Sequence, residues 1–122
     1  MSHKDEIIRL KTIKNKIDTI YLIVERHGNI VKALGDIEGQ PAILMLLVAI
    51  SEQFSKLFQK KSPILDYFDK GDIGGIISVR NYIAHDYDGV NLTIIEDDLH
   101  ENMPRVLNIV NKILENENSF SG

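Results

Sequence analysis

Residues 41–50 read PAILMLLVAI, and the stretch continues as SEQFSKLFQKK to Lys61. Ala42–Ile50 is an unbroken apolar run of nine residues. On a helix such a run is apolar all round, which predicts a central, buried helix. Pro41 stands at a tolerated first-turn position. The later half thins to a stripe of Ile50, Phe54, Leu57 and Phe58, and Ser62-Pro63 ends it. The run falls well short of the roughly 18–20 residues that cross a bilayer. The N-terminal MSHKDEIIRL has no apolar signal-peptide core. The expectation is a soluble, cytoplasmic protein with no membrane partner.

Working outward, helix is the dominant period. Leu10, Ile13, Ile17, Ile20 and Val24 are spaced three and four apart, one face of a helix over about residues 4–26. His27-Gly28-Asn29 is its stop signal. Ile30–Ile37 reads as a turn or two of helix, and Pro63–Lys70 as another short turn. Asp72 reads as the N-cap of a third long segment at about 73–85. A last helix spans from near Thr93 to near Glu117, with a stripe of Leu99, Met103, Val106, Val110 and Ile113. Pro104 predicts a kink or restart within it. The polar tail 116–122 is expected to fray. No alternation of period two persists long enough for a strand. The fold class is all-α, an antiparallel up-and-down helical bundle of four to five helices forming one domain over 1–122.

The chain has 122 residues, 43% hydrophobic and 26% charged, enough to bury one core unaided. It has no Cys, which excludes disulfide scaffolds, thiolate zinc sites and cysteine nucleophiles. The net charge of −4 hides an asymmetry. Residues 1–61 hold ten Lys or Arg against seven Asp or Glu, whereas residues 91–122 hold two against six. This balance excludes a broad electrostatic grip on nucleic acid. It does not exclude RNA chemistry confined to a small cleft.

The third helix holds an anomaly. At 100° per residue, Ile73, Ile76, Ile77, Val79, Ile83 and Ala84 form one apolar stripe, and Arg80 falls in its middle. A buried guanidinium is costly unless paired. Arg80 therefore reaches a buried partner, or the stripe is open there as a cleft or subunit interface. His85 falls on the far side of the same helix. Either the helix ends near Ala84–His85 and the turn swings His85 around, or Arg80 meets groups of a second subunit across a two-fold axis. The plain structural readings are an ion-pair role for Arg80, a helix-dipole role for His85 and packing roles for Tyr82 and Tyr87.

The segment Arg80-Asn81-Tyr82-Ile83-Ala84-His85-Asp86-Tyr87 resembles the Arg-x4-His-x-Tyr signature of the HepT-like branch of the HEPN superfamily. The apolar helix followed by Ser51-Glu52-Gln53-Phe54, the loop from Asp86 to Asn91 and the last helix opening at Met103-Pro104 follow the same order. The resemblance covers about residues 5–115. It departs in the Gly-rich stretch Gly28–Gln40, where relatives have a more regular second helix.

The resemblance implies a homodimeric, metal-independent endoribonuclease, the toxin half of a toxin–antitoxin pair. It implies catalytic roles for Arg80, Asn81 and His85. It also implies that an MntA-like nucleotidyltransferase antitoxin silences the toxin by transferring AMP to Tyr87, and it leaves open whether dimers assemble further with that antitoxin. The alternative reading is a non-catalytic helical interaction module that partners a nucleotidyltransferase.

No cofactor is expected. No metal site is expected either, since His3, His27 and His100 lack ligand spacing. The cluster Glu96, Asp97, Asp98 and Glu101 reads as a dipole-favoured first turn of the last helix rather than a Mg²⁺ site. Gly74-Gly75 reads as a point of close helix approach. Lys56, Lys60 and Lys61 form a small basic edge.

Overall fold

A computed structural model describes residues 1–86 and 88–121, the last four by backbone alone. The helices are α1 (His3–His27), α2 (Ile30–Leu34), α3 (Gly39–Gln59), α4 (Lys70–His85), α5 (Leu92–Asp97) and α6 (Met103–Ser121). A 3-10 turn, Pro63–Tyr67, joins α3 to α4, and a π-helical turn, Asp98–Asn102, joins α5 to α6. The described residues contain no strand.

Cross-contacts fix the helix directions. Arg9, early in α1, donates to Gln53, late in α3, at 2.8 Å. Tyr21, late in α1, reaches the Leu99 carbonyl, while His3 at its start reaches Glu117 near the end of α6, both at 2.7 Å. Asp72 meets Arg105 at 2.9 Å, and Gly75 stands level with Asn102. Neighbouring long helices therefore run antiparallel. The apolar stripe of α1 is buried at Leu10, Ile13, Ile17 and Ile20. Gly28 ends the helix at φ +100°, a left-handed conformation that L side chains rarely adopt.

Helix α3 lies between α1 and α4. It is the one helix among the described residues long and apolar enough to cross a membrane, over a window wider than the nine-residue run. Ile43, Leu44, Leu47, Ile50, Phe54 and Leu57 are buried, and the Phe54 ring meets Phe68 edge to face at 5.4 Å. The expectation of burial all round fails. Met45 is 58% exposed and Phe58 64%, and Val48 and Ala49 are half-buried. The neighbouring helices leave the face of α3 around Met45, Val48 and Ala49 open, whereas Phe58, about 140° away on the helix, is exposed near its C-terminal end.

Helix α4 starts earlier than the sequence predicts. Asp69 is its N-cap, accepting from the Asp72 N–H at 3.0 Å. Asp72 is instead a buried first-turn residue held by Arg105 through Nε and Nη2. The Gly74-Gly75 pair is not a close helix contact. A Cβ at Gly74 would meet nothing within 4 Å, and one at Gly75 only the Asn102 amide at 4.0 Å.

The last helical run starts at Leu92, next to the expected Thr93, capped by Asn91 accepting from Thr93 N–H at 3.0 Å. Glu96, Asp97, Asp98 and Glu101 therefore do not occupy the first turn, and the dipole explanation for them falls. The restart expected at Pro104 takes the form of the π turn, in which the Met103 N–H bonds to the Asp98 carbonyl. In that register the Leu99 carbonyl would accept from residue 104, which as proline has no N–H. The Tyr21 hydroxyl donates to it instead. Burial, and then the nearby Asp98 charge, push the Tyr21 pKa up.

Candidate active site

Helix α4 is regular through His85, so the turn does not swing His85 around. Arg80 and His85, five residues apart, point about 140° away from each other. Arg80 is not buried. Its guanidinium Nε donates to Glu52 Oε1 of α3 at 3.2 Å, and both side chains are 53% exposed. The apolar stripe is closed at Ile73, Ile76 and Ile83 but open around Arg80, with Ile77 half-buried and Ala84 exposed. An exposed ion pair contributes about 0–1 kcal/mol. Glu52 thus orients the guanidinium more than it stabilises the fold. Among the described residues the two terminal nitrogens of Arg80 make no hydrogen bond. They are left as a fork suited to two phosphate oxygens.

Asn81 and His85 lie one turn apart and share a shallow open recess with Tyr82 and Ala84. The structure brings these two predicted residues together and leaves Arg80 outside the recess. His85 is the last residue of α4, where a positive charge is favoured by the helix dipole. Its ring makes no hydrogen bond among the described residues. Asp86 caps the helix and closes a tight turn by accepting from the Gly89 N–H at 3.0 Å. A Cβ at Gly89 would displace that carboxylate, which it would meet at 2.1 Å. Asn91 N–H then donates to the Tyr82 hydroxyl at 2.8 Å, which ties the end of the loop back to α4. Tyr87 lies outside the described residues.

Two participants escape a reading of the motif alone. Glu52 enters the sequence reading only through the resemblance, as the Glu of the central helix, and its pairing with Arg80 is a tertiary contact. Tyr82 sits inside the motif at a position the motif leaves open. Among the described residues, no group of His, Asp or Glu is arranged to hold a metal ion.

No match was found among curated proteins or solved structures. The family model described as ribonuclease HepT-like matches residues 13–113. That span runs from the third turn of α1 to the middle of α6 and includes the exposed end of α4. An all-helical chain matched over most of its length, with Arg80, Asn81 and His85 presented on one helix end, belongs to the ribonuclease HepT-like family.

Proposed function

We propose that this chain is a metal-independent endoribonuclease, the toxin of a HepT/MntA-type toxin–antitoxin pair. In this reading it acts as a homodimer, with Arg80, Asn81 and His85 at the reacting phosphate. The observation that carries the reading is the divergence of Arg80 and His85 on one exposed helix end of a chain from a ribonuclease family. One subunit does not direct both side chains at one phosphate, whereas a two-fold pair supplies two copies of each. The open apolar face of α3 at Met45, Val48 and Ala49, on the same helix as Glu52, supports pairing there.

The chemistry needs three parts. A base takes the proton of the 2′-hydroxyl, whose oxygen attacks phosphorus. An acid protonates the departing 5′-oxygen, leaving a 2′,3′-cyclic phosphate. Cations stabilise the charged phosphorane between these steps. Two His85 side chains serve as base and acid, and Arg80 supplies the charge. Asn81 hydrogen-bonds the phosphate or orients His85. DNA, which lacks the 2′-hydroxyl, is not cut by this route. A nucleotidyltransferase antitoxin silences the toxin by adding AMP to Tyr87.

In the test, RNA decay and growth are compared for the wild type, His85→Ala and Arg80→Ala, each checked for folding by circular dichroism. Loss of cleavage by at least 10³-fold in either folded variant is expected. Full activity in either overturns the assignment. A wild type with no RNA cleavage favours the interaction-module reading. Co-expression with the nucleotidyltransferase should add AMP-sized mass to the wild type and not to Tyr87→Phe.

A further inference from the structure

The side chain of Tyr82 lines two concavities at once. One is the recess it shares with Asn81, Ala84 and His85. The other is a groove of about 440 Å³ between α4 and the α5–π segment, with Val79, Ile94 and Ile95 among its apolar walls. Among the described residues Tyr82 is the only aromatic side chain lining either. It packs partly on the core, and its hydroxyl is held by the Asn91 N–H. A ring fixed in this way loses little rotamer freedom when a ligand stacks on it. Tyr82 and His85 are three residues apart on the helix, so their side chains emerge about 5–6 Å apart.

We propose that Tyr82 is a base-contacting residue of the RNA site. Its ring stacks the nucleobase beside the scissile phosphate while Asn81 and His85 face the phosphate itself. This rests on the ribonuclease reading above. Single-stranded RNA is held by stacking of unpaired bases on aromatic rings, a contact every base can make. The surrounding charge sets the direction of entry. Asp97, Asp98 and Glu101 line the far part of the groove and repel phosphate, so the backbone stays on the recess side and the uncharged base points toward the groove.

The test uses an uncleavable 2′-O-methyl oligonucleotide carrying 2-aminopurine, whose fluorescence is quenched on stacking. Binding to the wild type should quench the probe. Tyr82→Leu should bind about tenfold more weakly with the quench lost, and Tyr82→Phe should restore most of both. In cleavage assays the loss in Tyr82→Leu should fall on KM far more than on kcat. A bound but unquenched probe, wild-type affinity in Tyr82→Leu, or no binding by the wild type overturns the proposal. Because the probe cannot be cut, this result is separate from the nuclease test. If His85→Ala cleaves as well as the wild type, the catalytic reading fails and the stacking measurement still decides the role of Tyr82.

Discussion

Asp98 is held in a site that disfavours its charge. It is 8% exposed, and one carboxylate oxygen is buried without a hydrogen-bond partner among the described residues. Burial first, and then the neighbouring Asp72 charge, push its carboxyl up to about 6, against smaller opposing effects of Arg105 and Asn102. The folded state therefore binds the Asp98 proton more tightly than the unfolded state. The stability this contributes is fully present below the unfolded value near pH 4 and is lost as pH rises through about 6. The difference is worth roughly 2–3 kcal/mol. Asp98→Asn should accordingly raise stability at pH 8 by about 1–2 kcal/mol and flatten the decline between pH 4 and 6. Urea melts at pH 5 and pH 8 check this, and a variant no more stable than the wild type at pH 8 contradicts it. Nothing in the run Glu96-Asp97-Asp98 separates Asp98 from its neighbours. Its burial depends on the packing that brings Asp72 of α4 and Arg105 of α6 beside it, a tertiary arrangement that its own sequence neighbourhood does not specify.

The element that most repays attention is the joint between α5 and α6. Its buried apolar residues are Ile95, Leu99, Met103, Val106 and Val110. The two steps of four in a row from Ile95 to Met103 drift on an α-helix and fit the wider π turn. Tyr21 completes the joint by supplying the donor that Pro104 lacks. Tyr21→Phe should therefore cost about 1–3 kcal/mol, because the Leu99 carbonyl loses its partner. In a Pro104→Ala background the new N–H at residue 104 can take that carbonyl, so the same Tyr21→Phe change should cost less. A double-mutant cycle in urea measures the difference, and additive effects would refute the coupling. The helices themselves were legible because their stripes repeat every three or four residues. Pro104 announced a break, but the form of the break depended on a hydroxyl from α1, 78 residues away in sequence.

At the scale of the molecule, the functional proposal is about pairing. If two His85 side chains share one site, mixing wild type with folded His85→Ala chains poisons it. Activity should fall as the square of the wild-type fraction after subunit exchange, rather than in proportion to it. Titration at constant total protein distinguishes the two curves, and a linear fall would show that each subunit carries a complete site. The divergence of Arg80 and His85 was legible from 100° per residue alone. The openness of the stripe around Arg80 was one of two possibilities, and only the packing of α3 against α4 decided it. The antiparallel arrangement has a further outcome for protein fusions. His3 and Glu117 bring the two ends of the chain to the end of the bundle opposite His85. Summing helix rises from Glu117 to Asn102 and from Gly75 to His85 gives a separation on the order of 35 Å. A domain appended to either end would need a flexible linker of about 40 residues for its r.m.s. reach to match that span. Short affinity tags and fluorophores at the ends should leave the site clear, and an enzyme meant to act on the loop after His85 works best as a separate chain.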